Sequence, residues 1–152
     1  MAEPTAPQTA AAVAELIEDL GRLDQHFLVG DRAQTDLPTV LEGYRWMFSI
    51  LSVGLETFLW GDTTAPRFTD IVGFNRKWGC DNSDAFYQYA PIDPAGTYRV
   101  TGEVADAVYF SLTVYGGPDD GRYSERIVGS AGDRTVAVDA DGGFEIWLSP
   151  SE

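Results

Sequence analysis

Apolar positions at the front of the chain recur with a helical period. Val13, Leu16, Ile17, Leu20, Leu23 and Phe27 fall at three- and four-residue steps, and Glu15, Glu18, Asp19 and Arg22 lie mostly on the opposite face. The spacing predicts a helix from a cap at Thr9 to about Leu28, ended by Gly30-Asp31. Residues 1–8, rich in Pro and Ala, read as a frayed tail. A wider stripe follows in Val40, Leu41, Tyr44, Met47, Phe48, Leu51, Leu55, Phe58 and Leu59. It predicts a second helix that starts at Thr35 or Asp36, accepts Pro38 in its first turn and stops at Gly61-Asp62. Two helices joined by a short connection make an antiparallel hairpin over 9–65.

Beyond Pro66 the pattern alternates instead. Strands are expected over 97–103, 107–115, 135–138 and 144–148, with another over 85–92. Turn residues separate them, at Asp93-Pro94-Ala95-Gly96, Val104-Ala105-Asp106, Gly116-Gly117-Pro118-Asp119 and Asp141-Gly142-Gly143. The fold class that follows is α+β. A helical hairpin precedes one antiparallel sheet of about five or six strands, a partial β-sandwich or jelly-roll-like layer over 66–152. That sheet and the hairpin would form one domain. The chain stops at Ser149-Pro150-Ser151-Glu152, directly after a strand. Half a sandwich leaves an open edge and an uncovered face, so a missing C-terminal portion or a homo-oligomer is expected to cover what the hairpin does not.

Composition narrows the function classes. With 24 acids against 10 bases the net charge is -14, which opposes nucleic-acid binding and docking on anionic membranes. The longest apolar stretch, near 48–59, is interrupted by Ser49, Ser52, Gly54 and Glu56 and is too polar to span a bilayer. The start lacks the basic and apolar regions of a secretory signal. A single cysteine, Cys80, rules out an internal disulfide. A cytoplasmic protein is the expectation.

Candidate chemistry concentrates in Gly73–Tyr89, where charged groups and aromatic rings crowd the junction of the helical and β regions. Arg76 and Lys77, the only lysine in the chain, could clamp an anionic ligand. The plainer reading is ion bridges to Asp70, Asp81 or Asp84. Asp81, Asn82 and Asp84 could offer oxygen ligands to a hard cation, yet they lack the glycine and distal glutamate of a calcium loop. Asx residues in such runs more often cap their own turn, and no metal is expected. Asp84 and Tyr87 are the catalytic candidates. A carboxylate buried among Trp78, Phe86 and Tyr89 would resist ionisation and could move a proton, and a tyrosine could polarise a carbonyl. A structural tyrosine–carboxylate hydrogen bond is the alternative. Cys80 would need a base, and the only histidine, His26, lies on the first predicted helix. No dinucleotide or phosphate fingerprint is present, and no cofactor is implied.

Some of these words resemble a known family. Glu42-Gly43-Tyr44-Arg45-Trp46, Gly54-Leu55-Glu56, the run from Arg76 to Asp84, Tyr87 and Ala90-Pro91-Ile92-Asp93 are similar to an actinobacterial family filed with the domain of unknown function 1214. They also resemble, more distantly, proteins that pair it with domain 1254. The resemblance implies a β-sandwich with helical additions, longer chains, and no established activity. This chain departs from the family pattern at Cys80 and Ser83, where relatives tend to have Gly and Pro. Taken together, the residues suggest a small organic ligand bound between the second helix and the sheet, near Arg76, Lys77, Trp78, Asp81, Asn82 and Tyr89. Two alternatives stand beside it: a cofactor-independent acid–base enzyme using Asp84 and Tyr87, and an N-terminal piece or subunit of a larger assembly.

Overall fold

The computed structural model describes residues 5–79, 82–118, 122 and 124–150. Cys80 and Asp81 therefore lie outside the described residues. The fold is an α+β mixture in which helices precede small antiparallel sheets. The chain divides into two units. Unit 1 comprises Met1–Gly61 and Arg67–Ala90, and unit 2 comprises Asp62–Pro66 and Pro91–Glu152.

In unit 1, helix α1 runs over Ala6–Arg22. It begins before the expected Thr9, because Gln8 reaches back to cap Thr5. The Gln8 Oε1 accepts from the Thr5 backbone N–H at 2.8 Å and from its hydroxyl at 2.9 Å. Pro7 fits the first turn, where its missing N–H would have had no partner. The expected single helix to Leu28 is split at 23–24 into α1 and a short α2, Gln25–Leu28. Gly21 just precedes the break and Asp24 lies within it, and both are poor interior helix residues. Phe27 of α2 then meets Tyr44 edge to face, with ring centroids 5.2 Å apart. Gly43 makes room for that ring, since a Cβ there would lie 3.0 Å from it. The apolar stripe of α1 remains exposed at Val13, Leu16 and Ile17.

Helix α3, Leu37–Gly54, starts as its sequence requires. The Asp36 carboxylate accepts from the Thr39 backbone N–H at 3.0 Å and from the Thr39 hydroxyl at 2.7 Å. The helix widens into a π-helical segment, Leu55–Leu59, closed by a bond from Trp60 N–H to the Leu55 carbonyl at 3.1 Å. The Thr57 hydroxyl folds back onto the Val53 carbonyl at 2.8 Å. The stop at Gly61-Asp62 is as expected. Strands β1, Thr69–Val72, and β2, Tyr87–Tyr89, form an antiparallel ladder with an irregularity between Asp70 and Val72. Met47, Thr57 and Val72 are the buried side chains of this unit among the described residues.

Unit 2 contains β3 Tyr98–Glu103, β4 Ser111–Gly116, β5 Arg126–Gly132 and β6 Gly143–Leu148. β3 pairs with β6, and β4 pairs with β5, both antiparallel. The single sheet expected from alternation is thus three two-stranded ladders among the described residues. β4 begins later than expected. Residues expected as a strand at 135–138 form none: a turn at Thr135 and a bend at Val136 lead to a lone bridge from Val138 to Phe144. The Thr135 and Val136 N–H groups both donate to the Gly132 carbonyl, so this backbone closes on itself rather than on a neighbour. Phe110 stacks on Phe144 at 4.7 Å, and Gly102 lies against that ring, where a Cβ would approach to 2.5 Å. The Tyr98 hydroxyl accepts from Asp93 N–H at 2.8 Å and donates to the Thr63 carbonyl at 3.0 Å, closing the turn before β3.

Candidate functional site

The residues nominated in Arg76–Tyr89 that the structure describes all belong to unit 1. Their frame is a tight reversal, Gly73-Phe74-Asn75-Arg76, in which Gly73 and Arg76 exchange backbone bonds of 3.0 and 3.4 Å. From it the Arg76 side chain turns inward. One guanidinium nitrogen meets Glu56 Oε1 at 3.0 Å. The other meets Glu56 Oε2 at 3.3 Å and the Asp70 carbonyl at 2.6 Å. This forked pairing joins the π-helical segment to β1, with the arginine side chain 24% and the glutamate 39% exposed. Sequence reasoning offered Asp70, Asp81 and Asp84 as partners. The carboxylate that Arg76 meets is Glu56, and Asp70 contributes its backbone. The signal was present: Glu56 is a lone acid between Leu55 and Phe58-Leu59 in an apolar stripe, a position that calls for a cation nearby.

Lys77 holds the next loop. Its ammonium donates to the Asn82 carbonyl at 3.1 Å and the Ala85 carbonyl at 3.0 Å, and lies 5.8 Å from the centre of the Phe86 ring. Asn82 behaves as a turn residue. Its Oδ1 accepts from Asp84 N–H at 3.0 Å, and its carbonyl accepts from Ala85 N–H at 3.3 Å. The half-buried Trp78 donates its indole N–H to the Ile71 carbonyl at 2.8 Å, and Gly79 takes a positive φ of 76° beyond it. Asp81 lies outside the described residues.

Asp84 is exposed, and its carboxylate accepts from the Ser83 hydroxyl at 3.2 Å. The burial among Trp78, Phe86 and Tyr89 that would have made it a proton-transfer group is not found. Tyr87 is 47% exposed and Tyr89 38%. No hydrogen bond joins Asp84 to Tyr87 among the described residues. Tyr87 and Tyr89 share one face of β2, opposite Val72 and Thr69. Gln88, on the other face, donates to the Asp70 carboxylate at 2.8 Å. The arrangement fixes a polar and aromatic surface (Asn82, Asp84, Phe86, Tyr87, Tyr89) on a loop and strand that Arg76, Lys77 and Trp78 hold in place.

Unit 2 has an open groove of about 540 Å³, lined in part by Gly102, Val138, Asp139, Phe144 and Glu145. It contains none of the nominated residues. The Asp139 carboxylate there is engaged by its own turn, accepting from Asp141 and Gly143 N–H at 2.9 and 2.8 Å. Among the described residues no helix is long and apolar enough to cross a membrane.

Neither a family model nor a curated protein matches the chain. A solved structure is similar: the crystal structure of an uncharacterized protein from Burkholderia cenocepacia, with a TM-score of 0.73 and 29% identity. The match covers 91% of this chain and 39% of that one. This chain therefore spans well under half the length of the protein it resembles.

Proposed function

We propose that this chain is a cytoplasmic, actinobacterial binding domain of the domain-1214 family. It takes up a small organic molecule on the surface of unit 1 where the end of α3 and its π-helical segment adjoin the β1–β2 ladder. One observation carries this reading. Arg76 links Glu56 to the Asp70 backbone, so the described groups of 82–89 are held beside a helix end. A π-helical turn often marks a functional position.

The ligand class follows from which groups face outward. Arg76 and Lys77 direct most of their donors to internal acceptors, which disfavours the anion clamp suggested by sequence. The exposed groups are a carboxylate, an Asx amide and aromatic rings, on a chain of net charge -14. They suit a neutral or cationic ring-bearing molecule, held by stacking and by Asp84. Acid–base catalysis through Asp84 and Tyr87 has no comparable observation behind it.

The test is thermal unfolding of the chain against ring-bearing amines, sugars and carboxylates. A ligand at 100 times its Kd should stabilise the chain by about 2.7 kcal/mol. Tyr87→Ala should abolish that shift and leave the unliganded melt close to that of the unsubstituted chain. A panel without hits contradicts the proposal. Carboxylates as the strongest hits would overturn the charge assignment and restore Arg76 and Lys77 as ligand donors.

A further inference from the structure

In the β3–β6 ladder Arg99 stands opposite Trp147 and Thr101 opposite Glu145. Side chains alternate along a strand, so these four share one face of the ladder. Trp147 is 60% exposed, yet its ring is not left to swing. Its indole N–H donates to Glu145 Oε1 at 2.7 Å. That bond satisfies the one polar atom of the indole, and the ring presents bare apolar faces to solvent. A ring already held in place loses little rotamer freedom when something stacks on it.

Glu145 also belongs to the open groove of about 540 Å³, which Thr101 and Gly143 line beside it. Small-molecule sites run from about 300 to 1,000 Å³. The Asp139 carboxylate leans over Gly143, where a Cβ would come within 2.7 Å of its Oδ2. Neither carboxylate of the groove is bare. Asp139 Oδ1 takes the Asp141 and Gly143 N–H groups, and Glu145 has the indole on Oε1 and the Arg99 guanidinium 3.8 Å from Oε2. Their charge is answered from within the unit, which leaves little for a free cation. Each still keeps lone pairs on its second oxygen, and the Thr101 hydroxyl both donates and accepts. Such groups suit a ligand rich in hydroxyls.

We infer that this face of the β3–β6 ladder binds a neutral oligosaccharide. One sugar ring lays its apolar C–H face on Trp147. The next ring enters the groove, where Thr101, Asp139 and Glu145 take its hydroxyls. Residues two apart on a strand are separated by about 6.8 Å, so the platform at Trp147 and the groove beyond Glu145 are successive positions, and the ligand has at least two linked rings. The site lies wholly in unit 2 and does not depend on the ligand surface proposed for unit 1.

The test titrates the chain with maltotetraose, cellotetraose and chitotetraose, with sorbitol as an open-chain control, and follows the Trp147 indole N–H and the backbone amides by NMR. At least one oligosaccharide should give saturable shifts at the indole and at residues 99–102 and 143–147, and sorbitol should give none. Trp147→Ala should weaken binding by about tenfold or more, and Trp147→Phe, which keeps a ring, should recover part of the loss. Thr101→Val, which keeps the side-chain shape, should weaken binding without changing the circular dichroism. Tyr87→Ala, in unit 1, should leave this binding unchanged. The inference is overturned if none of the three oligosaccharides gives saturable shifts, if the shifts fall on residues 76–89 instead, or if sorbitol reproduces them. It is equally overturned if Trp147→Ala and Thr101→Val both bind as tightly as the unsubstituted chain.

Discussion

Lys77 is the only lysine of the chain, and its ammonium closes one loop. By bonding the Asn82 and Ala85 carbonyls it shapes the turn that presents Asn82 and Asp84. Its importance was legible from its isolation in an arginine-using sequence. Its partners were not, because they are backbone oxygens that no side-chain pattern announces. Asp36 is the converse case, a cap readable from sequence whose consequence is a pH dependence. Hydrogen bonds from the Thr39 hydroxyl, then from its backbone N–H, hold the Asp36 carboxyl below its ordinary value of 3.8. A lowered folded-state pKa contributes stability that is present above the unfolded value and lost as pH falls through the folded one. The helical signal of α3 should therefore weaken as acid is added below that ordinary value. Asp36→Asn keeps a capping oxygen but cannot titrate, so its acid melting curve should be flatter than that of the unsubstituted chain. Asp62, lowered in the same way by Thr64, titrates in both proteins, so the difference between the curves isolates Asp36. Coincident curves would show that the cap is not formed in solution.

At the level of elements, α3 was readable nearly from end to end. Its stripe is long, its cap is an aspartate, and Gly61-Asp62 stops it. β3 and β6 were equally plain, since alternation and flanking turns agree. β5 escaped because Ile127-Val128 are adjacent and Gly129, Ser130 and Gly132 interrupt any two-residue period. β1 was too short to show a period at all. The link between elements that matters most for the site is the Arg76–Glu56 pair, and a double-mutant cycle measures it. Glu56→Gln and Arg76→Gln should each destabilise the chain. Their coupling should be about 1 kcal/mol, near the top of the range for partly exposed pairs. Additive losses in denaturant melts would mean that the pair does not hold the helix end to β1.

For the whole molecule, the chain divides into two units, each with little buried side-chain material among the described residues. This could not be read from composition, because 44% hydrophobic content is ordinary for a globular chain. What differs is where those residues lie: Phe74, Val108, Trp60 and Trp147 are among many large apolar side chains left in solvent. The candidate site nevertheless falls within one unit, so its function can be tested without reference to the other. The most direct measurement is a map of backbone amide NMR shifts as the best ligand from the thermal panel is added. The account predicts changes concentrated at residues 76–89 and at Glu56, removed by Tyr87→Ala. Changes confined to the groove around Gly102 and Phe144, or no saturable change anywhere, would contradict it.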